Sequence, residues 1–304
     1  MTVREGKVEA QAKLNLFLRV LSREVSGYHQ IETMFCRIAL SDTVTVSVGN
    51  QAKRLQVEGP RVPIAGLGPV ERNVAWKAAE AYAAATGYPG GFDIRIEKRI
   101  PVGGGLGGGS ADAGGVLRVL NALNPDPVDA PKLLDIASTL GADVPFLTQD
   151  DSAMAIGRGY GERLEILPAL PSRPVWLLVP DVGVNTAEAY GWLDSARGDA
   201  AQALGIGNIA GWEALARVAV NDFEPVVGAK VPIIGRLLAG FRSPQMADVL
   251  GESAMVLMSG SGSTVAVIAG QVARNHWAAL PPIGGVDVVE TQTAAFVEPV
   301  VLTH

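Results

Sequence analysis

Six of the seven positions from 103 to 109 are glycine, within the run Pro101-Val-Gly-Gly-Gly-Leu-Gly-Gly-Gly-Ser110. Just before the run, Phe92, Ile94 and Ile96 alternate with Asp93, Arg95 and Glu97, the period-two pattern of a half-buried strand. After it, Ala113, Val116, Leu117 and Leu120 recur at helical spacing. The expected order is therefore strand, glycine loop, helix. Glycine removes the side chains that would hold a phosphate away from backbone N–H groups, and a helix N-terminus adds positive partial charge. A merely permissive turn accounts for one or two glycines, but each needless one costs entropy on folding. Six in seven therefore favour a polyphosphate cradle.

The rest of the chain can support a large fold around such a loop. Its 304 residues are 48% hydrophobic and 18% charged, enough apolar side chain for two domains or one large one and too much for extensive disorder. Glycine totals 36, about 12% against roughly 7% in ordinary proteins. A net charge of −6 is a poor footprint for coating nucleic acid or an anionic membrane, so neither is expected as a partner. The single cysteine, Cys36, allows no intramolecular disulfide and no cysteine-rich zinc site. The longest apolar runs, such as Val175–Val179 and Ala254–Met258, are too short to span a bilayer, and Met1-Thr-Val-Arg-Glu5 has no apolar signal core. A cytoplasmic location is the expectation.

Along the chain, Leu14–Leu21 and Val44–Val48 read as strands. The alanine-rich stretch from Asn73 to Thr86 reads as a helix stopped by Gly87. Three prolines make Asn124–Pro131 a turn, and a further helical pattern, Leu133 to Leu140, ends at Gly141. Pro168, Pro171 and Pro174 mark a composition shift, which divides the chain into domains 1–167 and 168–304. In the second, Val175–Val179 is a strand, helical stretches follow to about 250, and Ala254–Met258, a Ser/Gly turn and Val265–Ala269 form a strand pair.

Other nucleotide and hydrolase signatures fail. Gly103, Gly105 and Gly108 formally fit G-x-G-x-x-G, but a proline-rich turn and a helix follow where a dinucleotide site needs a second strand. Ser110 and Ala111 stand where a Walker loop carries Lys and Ser/Thr. Asp222-Phe223-Glu224 is not D-F-G, and there is no H-R-D triplet or Gly-x-Ser-x-Gly elbow.

The run from Pro101 to Ser110 resembles the signature of the GHMP small-molecule kinases, which include galactokinase, homoserine kinase and mevalonate kinase. Further segments carry the resemblance in the same order: Ala12–Leu18, Gly27-Tyr-His29, Leu140–Phe146, Gly157–Glu162, Asn221–Glu224 and Ser259–Gly262. The resemblance implies an α+β, two-domain GHMP kinase fold, with a ribosomal protein S5 domain 2-like N-terminal domain and a ferredoxin-like C-terminal domain. It implies ATP as cosubstrate, Mg²⁺ bound with the ATP and no separate protein-only metal site. It also implies cytidine diphosphate methylerythritol, of the non-mevalonate route to isoprenoids, as the small-molecule acceptor. A monomer or weak homodimer is expected. Another GHMP kinase acceptor is an alternative that Gly27-Tyr-His29 tells against. A non-catalytic nucleotide-binding regulator is a second, disfavoured by the presence of both Lys13 and Asp143.

By resemblance, Asp143 is the base and Lys13 polarises the acceptor hydroxyl and stabilises charge. From the residues alone, Asp143 reads equally as a helix cap or turn former, and Lys13 as a lysine at the solvated edge of a strand. The nucleotide falls to Pro101, Val102, Gly103, Gly104, Gly105, Leu106, Gly107, Gly108, Gly109, Ser110 and Ala111, with Asn73 and Lys98 near the adenine. Ser110 either caps the helix or contacts phosphate or Mg²⁺, and Asp112 suits the first helical turn. Many relatives read Gly-Ser-Ser, so Ala111 removes one hydroxyl. The acceptor falls to Asn15, Tyr28, His29 and Tyr190: His29 as the cytosine contact, Tyr190 as a stacking ring or else a core aromatic. Ser259–Ser263 reads as a hairpin turn or, by resemblance, an active-site wall.

Overall fold

The computed structural model describes residues 4–25, 27–49, 51–196, 202, 203, 205, 211–271 and 283–303. Its frame is one long hairpin. Strands β1 (Arg4–Arg23) and β2 (His29–Val48) run antiparallel for 20 residues each, and their middles are buried on both faces, so apolar residues run on without the usual alternation. The expected strand at Leu14–Leu21 is thus the centre of a much longer one. β2 also pairs along its other edge, first with β5 (Met154–Gly159) through residues 31–36 and then with β4 (Phe92–Glu97) through residues 43–48. Strands β3 (Lys53–Glu58) and β6 (Arg163–Leu167) extend the sheet beyond β4 and β5.

Helices α1 (Val74–Thr86), α2 (Gly108–Leu123), α3 (Ala130–Ser138) and α4 (Val144–Thr148) accompany this sheet. In α1, Ala75, Ala78, Ala79 and Tyr82 form the buried stripe, Asn73 caps the start and Gly87 ends it in left-handed conformation. Helix α2 runs through the middle of the layer and is buried from Ala111 to Leu120. The turn expected over Asn124–Pro131 is shorter than its prolines suggested. α3 starts inside it at Ala130, with Pro131 in the first turn, where a missing N–H breaks no helical bond, and the Asp129 carboxylate accepts from Lys132 N at 3.0 Å.

A second sheet has the order β10-β7-β9-β8, all antiparallel, from β7 (Pro174–Pro180), β8 (Met255–Met258), β9 (Val265–Ile268) and β10 (Val286–Gln292). Helices α5 (Thr186–Ala196), α6 (Trp212–Val218), α7 (Glu224–Lys230), α8 (Pro232–Phe241) and α9 (Pro244–Leu250) lie between β7 and β8 in the chain. The last strand, β11 (Val301–Thr303), returns to the outer edge of β1. The two sheets are tied at Leu18, whose N–H donates to Val220 O at 2.7 Å and whose carbonyl accepts from Asp222 N at 3.0 Å. Among the described residues no helix is long and apolar enough to cross a membrane.

Candidate active site

The glycine loop joins β4 to α2, as its sequence context predicts. Gly105 (φ +78°) lies so close to the Ser259 carbonyl oxygen that a Cβ would overlap it, and Ser259 Oγ donates to Gly105 O at 2.9 Å. The Ser259–Gly262 turn is therefore a wall of this loop, supplied from beside the second sheet. Gly107, at φ +72°, is the N-cap of α2, and a Cβ there would sit 3.0 Å from Lys13 Cγ. This corrects one expectation: Ser110 is in the first turn of α2 and does not cap it. Its side chain faces the loop's cavity, about 380 Å³, together with Asn73, Lys98 and Pro101 through Gly109. Ala111 is buried in the core and does not line that space.

Lys98, expected near the adenine, lines the loop's cavity but is itself buried. It lies between Asp42 and Asp112, 2.7 Å from Asp112 Oδ2 and in tight contact with Asp42. Asp42 also accepts from the backbone N–H groups of Arg99 (2.5 Å) and Ile100 (2.8 Å). Asp112 Oδ1 is buried with no partner. Burial lowers the Lys98 ammonium's pKa, but the two carboxylates outweigh this and leave it raised. Burial likewise pushes the Asp112 carboxyl up to about 7 against the pull of Lys98, with the Asp42 charge adding to the rise. Asp112 is thus a buried partner of Lys98 and lies beyond the first helical turn. Asn73 lines the same cavity while its side-chain oxygen accepts from Ala75 N at 2.9 Å.

A second cavity of about 980 Å³ opens beside the first. The two share Gly105, Gly107 and Ser110, and the second is lined by Lys13, Asn15, Tyr28, His29, Asp143 and Tyr190 among others. Lys13, inside β1 and almost fully buried, donates hydrogen bonds to Asn15 Oδ1 at 2.6 Å and Gly105 O at 2.9 Å and forms an ion pair with Asp143, Nζ to Oδ2 3.2 Å. Asp143 sits at the start of α4 yet makes no side-chain capping bond, so the competing reading as a cap fails. Its carboxylate is about 30% exposed, enough to meet a ligand. The segment that carries it is braced from below. Arg37, fully buried, donates to Phe146 O and Gln149 O at 2.8 Å each and lies over the Phe146 ring; burial, with the Arg118 charge adding, pulls its guanidinium down to about 9.

At the far end of this cavity, His29 Nε2 is 2.7 Å from Asp194 Oδ1, and its ring stacks on Tyr190 at 4.6 Å between centroids. Tyr190 meets Phe223 edge to face at 4.8 Å. Burial, aided by the charges of Asp143 and Asp194, pushes the Tyr190 phenol up to about 12. In this arrangement His29 holds the Tyr190 face that was expected to stack on a ligand. The exposed aromatics here are Tyr28, 67% accessible, and Tyr160, 39% accessible, with ring centroids 5.5 Å apart. Asp194 and Tyr160 escaped sequence reasoning, since neither stands in a spacing pattern with His29. The Asn15 amide is engaged at both ends, by Lys13 and by Thr33.

Among the described residues no group of three or more His, Cys, Asp or Glu is placed to hold a metal ion by itself. Oxygen donors that line the cavities include the Ser110 hydroxyl and the Asp143 carboxylate, which suit a Mg²⁺ ion held chiefly by nucleotide phosphates and water.

Residues 73–156, which include the glycine loop and Asp143, match the family described as GHMP kinases N terminal domain. The chain is similar to the 4-diphosphocytidyl-2-C-methyl-D-erythritol kinase of Halorhodospira halophila, 36% identical over 84% of this chain and 81% of the relative. It is also similar to that of Deinococcus radiodurans, 38% identical over 89% of this chain and 86% of the relative. A crystal structure of 4-(cytidine 5'-diphospho)-2C-methyl-D-erythritol kinase superposes with a TM-score of 0.73 at 35% identity, covering 94% of this chain and 98% of the other.

Proposed function

The chain belongs to the 4-diphosphocytidyl-2-C-methyl-D-erythritol kinase family of GHMP small-molecule kinases, and from that premise we propose the reaction and the roles of its residues. It is an ATP-using small-molecule kinase with the α+β GHMP kinase fold. In our reading it transfers the γ-phosphoryl of ATP to the 2-hydroxyl of 4-diphosphocytidyl-2-C-methyl-D-erythritol, giving the 2-phosphate and ADP in the methylerythritol phosphate route to isoprenoids. We assign residues 1–167 to the nucleotide-binding domain and 168–304 to the second, save that β11 (Val301–Thr303) returns to the first sheet beside β1.

One observation carries this reading: the Lys13–Asp143 ion pair stands where the glycine-loop cavity opens into the larger cavity. Phosphates on the loop would receive N–H donors from the start of α2 and its positive dipole end. An acceptor hydroxyl beside Asp143 would then face the γ-phosphorus in line. Its oxygen attacks phosphorus, the bond to the β-phosphate oxygen breaks, and the hydroxyl proton passes to Asp143. Lys13 keeps the carboxylate aimed and sets positive charge beside the transferring group. Mg²⁺ bound with ATP would neutralise charge on the phosphates, and Ser110, which lines both cavities, would offer it a hydroxyl oxygen. At the other end, His29, held by Asp194, and the exposed Tyr28 ring suit a flat base with donors and acceptors on its edge.

The test is ADP release with ATP, Mg²⁺ and a panel of acceptors: the cytidine diphosphate alcohol, mevalonate, homoserine and galactose. Release with the first alone supports the reading, and release driven by another acceptor overturns it.

A further inference from the structure

Behind Lys13 runs a buried chain of hydrogen bonds. Thr33, on β2, is fully buried, and its Oγ1 donates to Phe17 O at 2.7 Å. A hydroxyl has one proton, so toward any other neighbour Thr33 can only accept. That neighbour is Asn15, whose Nδ2 donates to Thr33 Oγ1 at 2.8 Å. The amide can then point only one way. Its Oδ1 faces Lys13 Nζ at 2.6 Å, whereas the flipped amide would set its NH₂ against an ammonium and its oxygen against a hydroxyl with no proton to offer. The chain sits at an irregularity in the hairpin, where the register of β1 on β2 shifts between Asn15 and Phe17, next to the Phe17 carbonyl that Thr33 uses.

We infer that Thr33 is a positioning residue for phosphoryl transfer, acting through the Asn15 amide on Lys13. The three oxygens around Nζ, two hydrogen-bonded and one ion-paired, are unequal in origin. Gly105 O belongs to the glycine loop, Asp143 to the start of α4, and only Asn15 shares a strand with Lys13. Without an oriented Asn15 oxygen, the ammonium loses the contact that fixes it relative to its own strand. Its alignment on Asp143 and on the loop carbonyl loosens together. Asn15, expected from the sequence to touch the acceptor, lines the larger cavity and in this reading is also the middle of this chain.

The inference rests on Lys13 serving the reaction, and the experiment separates the two. In the full-length protein, Thr33→Val keeps the side-chain shape and deletes the hydroxyl. Leaving the buried Asn15 N–H unsatisfied should lower kcat about tenfold or more, with the KM for ATP and for acceptor each moving less than about threefold. Thr33→Ser, which restores the hydroxyl, should recover kcat to within about threefold of wild type. In an Asn15→Ala background, followed by long-incubation ADP release, Thr33→Val should have less than about a twofold effect, because its route to Lys13 is gone. A merely structural role would lower the melting temperature and keep the same factor in both backgrounds. Equal factors, no loss in Thr33→Val, or a Ser variant no better than Val each overturns the inference. Lys13→Ala tests the underlying reading alone: near-normal turnover there fails that reading, whereas loss in Lys13→Ala without loss in Thr33→Val fails only the positioning chain.

Discussion

Lys13 Nζ lies 3.2 Å from Asp143 Oδ2, one group inside a buried strand and the other at the partly open start of a short helix, with the glycine loop passing between the cavities at that point. If this pair performs the transfer, Asp143→Asn removes the proton acceptor without altering shape, and Lys13→Ala removes the charge. Each should lower kcat by about 10²- to 10⁴-fold. Circular dichroism and melting curves should show both variants folded. Turnover within tenfold of wild type in Asp143→Asn would remove Asp143 from the role of base.

The His29–Asp194 contact predicts an effect confined to one substrate. His29→Ala should raise the KM for the cytidine diphosphate acceptor about tenfold or more and leave the KM for ATP nearly unchanged, since His29 lines the acceptor cavity alone. Asp194→Ala should shift the same constant in the same direction, by less. Equal changes in both Michaelis constants would argue that His29 supports the fold at large.

Gly105 predicts an effect on the nucleotide. A methyl group there meets both a left-handed backbone and the Ser259 carbonyl, so Gly105→Ala must displace either the loop or the Ser259–Gly262 turn. ATP affinity, read by calorimetry, should fall by at least about tenfold, whereas Gly240→Ala, on α8 away from the loop and with open space where its Cβ would sit, should bind within about threefold of wild type. Similar affinities for the two variants would contradict the close approach described.

Much of this was legible in the sequence, and what was not has a common cause. The strand, glycine loop and helix order, and α1 with its Gly87 stop, are local patterns of period and punctuation, and the structure has them. The Lys98 cluster was not readable: Asp42 precedes Lys98 by 56 residues and meets it only because β2 and β4 pair. His29 and Asp194 are 165 residues apart and Thr33 and Asn15 are 18 apart across a hairpin whose register no composition reveals. Whether Ser110 caps α2 stayed open in the sequence because a left-handed Gly107 leaves no mark that sets it apart from its neighbours in a run of glycines.

The Asp112 carboxyl gives a pH prediction with a definite sign. Its folded-state pKa is raised from 3.8 to about 7, so between those values the folded chain keeps a proton that the unfolded chain releases. Asp112 therefore contributes stability below pH 4 that is lost as pH rises through 7. Asn at that position cannot lose it. The unfolding free energy of Asp112→Asn minus that of wild type, measured in urea, should become more positive between pH 4 and pH 7. A difference that is flat or falls over that range would show that Lys98 holds Asp112 ionised throughout.

The most direct measurement is the phosphorus NMR spectrum of the product made from ATP, Mg²⁺ and 4-diphosphocytidyl-2-C-methyl-D-erythritol. The account predicts one new phosphomonoester signal, assigned to the 2-position because its tertiary ester carbon gives no vicinal proton coupling, formed in step with ADP and missing with Asp143→Asn. ADP without that signal, or a phosphate on another hydroxyl, would contradict it.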